Sequence, residues 1–356
     1  MTPKRSTRRD FFKALKPGAA GDVPADDGRR TCLIHVSRKA MACQFEALFN
    51  AGQYEDVSTP GLAALDLIAA LEEQLSCFRV TGEIARLNAL ASEGPVPVEP
   101  RLFDLLRIAL DLYRETGGAV DITSAPLWET WGFSRRQGKI PDDEQLAAAR
   151  AKVGGRHLEL DAEQRTVRFK IPGLRLNLGS IGKGYALDRA AETLAAAGIH
   201  DYLFHGGWSS ILARGSRLEF SPSGGKPSHG WTVGVNHPLR PDRPLAEIRL
   251  RDRAVGTSAG TFQYFRHRGR RYGHILDPRS GRPADCLLSV TVAAPTATLA
   301  DGLSTAFFVM GLEETMEFCR TRPGLSVLLV APATNPRQCR IETVGFSADE
   351  LSLATR

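Results

Sequence analysis

The sequence of 356 residues contains no long apolar run and no cysteine motif. No window of about 18 apolar residues occurs, so no segment is suited to span a membrane. The cysteines are scattered and form no C-x-x-C pair, which argues against a zinc site. A chain of this size does not need a disulfide framework, so we expect free thiols in a reducing compartment. The six cysteines are Cys32, Cys43, Cys77, Cys286, Cys319 and Cys339.

The net positive charge is small outside the first residues of the chain, where basic and acidic side chains nearly balance. The formal net charge is +6. Residues 1–16 hold six basic side chains against Asp10 alone, a net +5, which leaves the remaining chain at +1. A nucleic-acid enzyme needs its positive charge on a folded surface, and no RNA- or DNA-binding motif is present. We therefore expect no nucleic-acid partner.

The N-terminal segment Ser6-Thr7-Arg8-Arg9-Asp10-Phe11-Phe12-Lys13 resembles a twin-arginine export signal. Such a signal continues into an apolar stretch and a small-residue cleavage site. Here Ala14-Leu15-Lys16-Pro17-Gly18 is followed by polar and acidic residues. We interpret residues 1–30 as a disordered, degenerate basic tail on a cytoplasmic protein, with export as the alternative. Residues 31–356 are predicted to form one catalytic domain.

Apolar periodicity along the domain predicts interleaved helices and strands without a regular βαβ rhythm, which is typical of an α+β fold. The helix near 101–115 is predicted to end at Gly117-Gly118, and the segment 215–230 is rich in Pro, Ser and Gly and is predicted to be a loop. The predicted helices are 61–77, 101–115, 142–151, 183–197, 298–310 and 313–321. The predicted strands are 32–36, 157–160, 166–171, 174–178, 200–205, 209–213, 231–236, 246–250, 287–294 and 325–330.

The first segment that could take part in binding or catalysis is the glycine-rich stretch from Leu178 to Tyr185. It lies between a predicted strand and a predicted helix, where free N–H groups and the helix dipole favour an anion. It is not a Walker phosphate loop, because Asn177 and Gly184 occupy positions that need Gly and Ser or Thr. No G-x-G-x-x-G fingerprint is present either. On local sequence alone, an ordinary glycine-rich turn remains an equal interpretation.

Two further segments contain side chains suited to metal or proton chemistry. Asp301 and Thr305 are four residues apart on a predicted helix, so that their oxygens share one face and offer part of a Mg²⁺ shell. The alternative is a helix-start Asp with a Thr that bonds back to the backbone. Asp277-Pro278-Arg279-Ser280-Gly281 has the signature of a turn. His274, which precedes it, is by itself typical of a structural residue.

These segments, in this order, resemble the ApbE family, the FAD:protein FMN transferases, across roughly residues 41–311. A single match would be weak, whereas many matches in the family's order are specific. The matching segments are Met41-Ala42-Cys43, Leu75-Ser76-Cys77-Phe78, Gly82 to Asn88, Gly118 to Thr123, Pro126-Leu127, Trp131-Gly132-Phe133, Leu178 to Tyr185, Asp188, Gly206-Gly207, Thr257-Ser258, His274 to Gly281 and Ala300 to Thr305.

The resemblance implies an ApbE-like domain that moves FMN from FAD onto a Ser or Thr hydroxyl of an acceptor protein and releases AMP. It implies Mg²⁺ held by Asp301, Thr305 and the backbone carbonyl of Ser180, where the ion would neutralise the diphosphate. We add Asp301 and His274 as catalytic candidates. His274 would transfer a proton; the alternative is that its ring only packs against the turn. The FAD contacts implied by the resemblance are Met41, Phe78, Ala119, Val120, Asp121, Lys183 and Ile275.

Three departures from the family pattern fall in the region expected to bind substrate. Trp208 follows Gly206-Gly207 where the family has Asp, and Asn177 replaces a common Asp before the glycine turn. No acidic residue occurs in Thr257 to Thr261. From these changes we expect an altered choice of acceptor protein or a weaker activity. Two alternatives to transfer are hydrolysis of FAD to FMN and AMP by water, and FAD binding without turnover.

Overall fold

The structure is a computed structural model that describes residues 32–219, 226–227, 229–260, 263–335 and 338–354. The predicted N-terminal tail and its twin-arginine-like motif lie outside these residues. No helix in the described ranges is long and apolar enough to cross a membrane.

Helices and strands alternate along the chain. The α-helices of the described residues are α1 (Ser58–Leu75), α2 (Glu83–Leu90), α3 (Pro100–Glu115), α4 (Ala125–Thr130), α5 (Asp143–Arg150), α6 (Gly182–Ala196) and α7 (Ala297–Arg320). The strands are β1 (Leu33–Ala40), β2 (Cys43–Asn50), β3 (Val96–Pro97), β4 (Leu158–Asp161), β5 (Thr166–Phe169), β6 (Tyr202–Gly206), β7 (Ser210–Arg214), β8 (Leu218–Glu219), β9 (Lys226–Pro227), β10 (Trp231–His237), β11 (Arg240–Leu250), β12 (Ala254–Ala259), β13 (Tyr264–His267), β14 (Arg270–Gly273), β15 (Ser289–Ala294), β16 (Ser326–Pro332), β17 (Cys339–Val344) and β18 (Leu351–Leu353).

A central antiparallel sheet organises the molecule, with strand order β1-β2-β6-β7-β12-β15-β16-β17. Its two faces belong to two different cores, because successive side chains of a strand point to opposite sides. On β2, Phe45 and Phe49 pack with the helices, whereas Leu48 packs in a second core with the β10-β11-β18 sheet. The helical face places α6 and α7 against each other and α7 against β12.

The α+β class is confirmed, since helices cover one side of a sheet whose strand pairs are antiparallel. One predicted strand was wrong: residues 174–178 form no strand beyond an isolated bridge between Arg175 and Ser124. The side chain of Asn88 provides the reason, since it bonds both the N–H and the carbonyl of Leu176 and so replaces a strand partner.

The two helices predicted at 298–310 and 313–321 are the two halves of α7. Gly311 separates them with φ +80°, a left-handed conformation that glycine adopts without steric cost. Sequence periodicity missed helices α2 and α4 and the strands β2, β3, β12, β13, β14, β17 and β18. The segment 215–230, predicted to be a loop, contains the short strands β8 and β9.

Candidate functional site

Helices α6 and α7 meet at a close backbone contact that requires glycine. A Cβ atom at Gly184 would lie 2.0 Å from the carbonyl oxygen of Ala297. The carboxylate of Asp188, on α6, accepts the backbone N–H groups of Ala297 and Thr298 at 2.9 and 2.8 Å. The glycine-rich turn and its helix therefore fix the first turn of α7, and with it the position of Asp301.

The Asp301 carboxylate is buried beside the glycine-rich turn. Its Oδ2 accepts the N–H of Gly184 at 2.8 Å. Burial raises the pKa of Asp301 above its ordinary value, and the nearby Lys183 ammonium with hydrogen bonds from Ser210 and Gly184 opposes that shift only in part. An ionised carboxylate in this position is stabilised by an additional cation.

Lys183 is held by the turn between β6 and β7. Its Nζ donates to the Oγ atoms of Ser209 and Ser210, the latter at 2.8 Å. Both serines were missed in the sequence, although the adjacent Gly206-Gly207 was matched to the family pattern. The two hydroxyls orient the ammonium close to Asp301, so that the site combines an anion and a cation in one place.

Thr305 lies one helical turn after Asp301 and belongs to a row of hydroxyls. Its Oγ1 is 3.3 Å from Ser258 Oγ, which is 2.9 Å from Ser304 Oγ. Ser304 in turn donates to the backbone carbonyl of Asp301 at 2.9 Å. This row connects β12 with α7, where a Cβ at Gly256 would lie 2.3 Å from the carbonyl oxygen of Ala300.

All the residues predicted for the site line one cavity of about 570 Å³. They come from parts of the chain more than 260 residues apart, and the fold brings every one of them to this cavity. The sequence-predicted residues that line it are Met41, Phe78, Ala119, Val120, Asp121, Ser180, Lys183, His274, Ile275, Asp301 and Thr305.

Aromatic rings form one wall of the cavity. Phe78 is 64% exposed, and its ring centroid is 6.2 Å from that of Trp128. Trp128 stacks on Phe133 at 6.4 Å, and all three rings line the cavity. Trp128 was missed in the sequence, where Trp131 stood out instead. Trp131 is buried in the neighbouring core and donates its Nε1–H to the carbonyl of Gly281 at 2.8 Å.

Asp121 lines the cavity, but its carboxylate is occupied by its own surroundings. One oxygen accepts the N–H and the hydroxyl of Thr123 at 2.8 and 2.7 Å, and the other accepts the N–H of Gly155 at 3.1 Å. Burial raises the pKa of Asp121. These bonds brace the backbone that presents Ala119 and Val120 to the cavity.

The β1–β2 turn places Met41 and Ala42 at the cavity with φ of 47° and 59°. Non-glycine residues rarely adopt this left-handed region, and such strain often marks a functional site.

His274 follows directly after β14 and lines the cavity. Its Nδ1 is 3.0 Å from the carbonyl oxygen of Gln263. Because a carbonyl only accepts, Nδ1 carries the proton of this bond, and the lone pair of the neutral ring is on Nε2.

Comparison with known proteins identifies the relatives of this arrangement. The ApbE family model matches residues 41–329. The chain belongs to the ApbE family. A relative from Salmonella typhimurium, an FAD:protein FMN transferase, is 34% identical over 262 residues, 72% of each chain. Among solved structures, the flavin transferase ApbE from Vibrio cholerae shares 29% identity with a TM-score of 0.75, covering 88% of this chain and 97% of that chain. The ApbE protein from Thermotoga maritima gives 27% identity and a TM-score of 0.75, covering 87% and 96%.

The departures from the ApbE pattern have identifiable local roles. Asn177 lines the cavity, and its Oδ1 accepts the N–H of Gly179 at 2.9 Å, so it stabilises the glycine-rich turn. Trp208 adopts φ of 62° and stacks on the ring of His205 at 3.6 Å. Its ring therefore supports the second core, and the following Ser209 faces the cavity.

Proposed function

We propose that this chain transfers FMN from FAD to a Ser or Thr hydroxyl of an acceptor protein and releases AMP. Membership in the ApbE family supports the proposal, as do relatives whose names state this activity. The observation that carries it is the placement of the buried Asp301 carboxylate, Thr305 and Ser180 in one cavity with Lys183 and the exposed ring of Phe78.

The oxygens around Asp301 suit Mg²⁺. One carboxylate, the Thr305 hydroxyl and the Ser180 carbonyl form a set of hard oxygen donors, and Mg²⁺ takes such donors while leaving positions to water and phosphate. The burial that raises the pKa of Asp301 also favours a cation beside the ionised carboxylate. When bound, Mg²⁺ would neutralise the diphosphate and the charge that develops on the transferred phosphorus.

The other cavity residues would bind and orient FAD. Lys183, fixed by two serines, offers a positive charge to the diphosphate next to the N–H groups at the start of α6. Phe78 and Trp128 present ring faces on which the isoalloxazine or adenine ring would stack. Met41 and Ile275 add apolar contacts at the same cavity.

The reaction needs one proton to leave the acceptor. The hydroxyl oxygen of the acceptor forms a bond to the phosphorus on the FMN side, and the bond between that phosphorus and the bridging oxygen of AMP breaks. The hydroxyl proton passes to a base, for which His274 is the candidate, since the bond to Gln263 leaves the imidazole lone pair on Nε2.

The test uses purified protein, FAD, Mg²⁺ and a pool of peptides that have one central Ser or Thr and varied flanking residues. The proposal expects AMP and peptides whose mass increases by one FMN unit. Free FMN and AMP without modified peptide would favour hydrolysis, and bound FAD without any AMP would favour a carrier.

A further inference from the structure

The β13–β14 hairpin beside the cavity concentrates arginine on its surface. Arg266 and Arg271 lie directly opposite each other on the two strands, and Arg268 occupies the turn between them. All three side chains are exposed. Like charges at directly opposed positions destabilise a strand pair. The hairpin thus retains an arrangement that is unfavourable for its own folding.

Few carboxylates in the described part of the chain compensate these charges. Arg270 pairs with Asp285 at 3.1 Å. Among the described residues, no carboxylate oxygen lies within 4.0 Å of the guanidinium of Arg266, Arg268 or Arg271. Arg271 instead lies over the ring of Tyr264, 5.4 Å from its centroid.

Aromatic contacts fix which face of the hairpin points outward. Phe265 and Tyr272 stack on each other at 5.2 Å, and both contact Trp131. Because side chains alternate across a strand, Tyr264, Arg266 and Arg271 lie on the opposite face. The side chains of this face are exposed.

The hairpin adjoins the cavity at its base, the end opposite the turn between β13 and β14. Gln263, just before β13, and His274, just after β14, both line the cavity. The loop after Phe133 adds Arg135 and Arg136, both exposed, of which Arg136 also lines the cavity. Phe133 contacts Phe265 with ring centroids 5.6 Å apart, which joins the loop to the aromatic face of the hairpin.

We propose that this basic surface is a docking site for an acidic segment of the acceptor protein, an inference that rests on the proposed function. Guanidinium groups bind carboxylates through paired hydrogen bonds, and Asp or Glu side chains near the modified hydroxyl would relieve the repulsion between Arg266 and Arg271. A protein occupant is favoured over nucleic acid because the surface leads into a cavity where the acceptor hydroxyl must enter. The basic surface consists of Arg266, Arg268 and Arg271 on the hairpin, together with Arg135 and Arg136 on the adjoining loop.

The test measures binding of a fluorescent Glu-rich peptide to the FAD-saturated protein, and of the same peptide with Gln at each Glu. The variant is Arg266→Glu, which places opposite charges across the hairpin and so favours its folding. The matched control is Arg249→Glu, an exposed strand arginine on β11. We expect Arg266→Glu to weaken the binding affinity for the Glu peptide about tenfold. Arg249→Glu should change this affinity by less than about twofold.

Three results would overturn the docking site. The first is equal binding of the Glu and Gln peptides. The second is an equal loss of affinity for the Glu peptide in both variants. The third is tighter binding of a single-stranded oligonucleotide or of phosphatidylserine vesicles than of the Glu peptide. The peptide pool separates this inference from the proposed function. Binding that depends on Arg266 without any FMN transfer would contradict the function alone, and transfer without preference for acidic flanks would contradict the docking site alone.

Discussion

Asp301 is buried where helices α6 and α7 meet. Its oxygen accepts the N–H of Gly184, and Lys183 and Ser210 stabilise its charge without bringing the pKa down to the ordinary value. A buried carboxylate that is held ready for a cation is the feature expected of a metal ligand.

Asp301→Asn therefore tests the proposed metal site with almost no change of shape. Asn retains an oxygen for the Gly184 N–H but removes the negative charge. We expect FMN transfer to fall about a hundredfold or more at saturating FAD, because the charge supplies several kcal/mol of transition-state stabilisation through the metal. Rates are measured as a function of Mg²⁺ concentration. The control is Asp104→Asn, an exposed carboxylate on α3; equal rates in both variants would remove Asp301 from the site.

Substitution of Phe78 tests the proposed stacking of FAD on the aromatic wall of the cavity. Phe78 is more than half exposed although it is a large apolar side chain, which is the condition expected of a ring that waits for a stacking partner. Phe78→Ala is expected to weaken FAD binding about tenfold, while Phe78→Tyr preserves it. Quenching of flavin fluorescence measures the affinity. Val80→Ala, at a position 92% exposed and outside the cavity lining, is the control, and a similar loss there would argue against stacking.

The contact between α6 and α7 positions Asp301 and Thr305, the proposed metal ligands. Gly184 permits the helices to approach, and Asp188 caps the start of α7. Sequence spacing predicted the pairing of Asp301 with Thr305, because residues four apart share a helix face whatever the tertiary structure. It did not identify Ser209, Ser210 or Trp128, since their approach to the cavity depends on which strands pair and on a turn conformation that local sequence does not determine.

Gly184→Ala should damage both stability and the site. The added methyl group would meet the Ala297 carbonyl at 2.0 Å, so the helices must separate, and overpacking of this kind costs about 1–3 kcal/mol or more. Urea unfolding measures the loss, and the Mg²⁺ concentration for half-maximal transfer should rise. Gly94→Ala is the matched control, because a Cβ there meets nothing within 4 Å. Equal free energies of unfolding in the two variants would show that α6 and α7 can separate without loss of stability.

The β1-β2-β6 part of the sheet contains a separate ionic cluster. Glu46 lies 3.1 Å from His205 Nε2 and 2.9 Å from His35 Nδ1. The hydrogen bond from His205 is the largest cause that lowers the pKa of Glu46 to about 2. Burial lowers the pKa of His205, so its ring is neutral near pH 7 and donates to the carboxylate.

The lowered pKa sets the direction of a pH effect on stability. The native state prefers the ionised Glu46, so its contribution to stability is present above the ordinary pKa of 4.5 and is lost as pH falls toward about 2. Glu46→Gln should lower the melting temperature near neutral pH, and its difference from wild type should shrink as pH falls below about 4. Thermal unfolding across pH measures this. The exposed Glu55→Gln serves as control; a pH-independent difference for Glu46→Gln would contradict the assignment.

At the scale of the whole molecule, the order of motifs predicted more than any local pattern did. Each glycine-rich or turn segment alone allowed an ordinary structural interpretation. The order of these segments along the chain, in contrast, indicated one family and one shared site. Net charge was a poor guide to the surface. Outside the first 16 residues the chain has a net charge of only +1. Folding nevertheless joins the arginine-rich hairpin, whose base adjoins the cavity, to a loop with two exposed arginines more than 120 residues earlier.

FMN transfer to protein is tested most directly by a single-turnover experiment with FAD-loaded protein, Mg²⁺ and an acceptor peptide from the pool. Samples quenched over time are analysed for AMP and for peptide mass. We expect AMP and FMN-modified peptide to appear in equal amounts and at the same rate, with FAD remaining intact when the peptide is omitted. Release of AMP at the same rate without peptide, or with no flavin on the peptide, would contradict FMN transfer to protein.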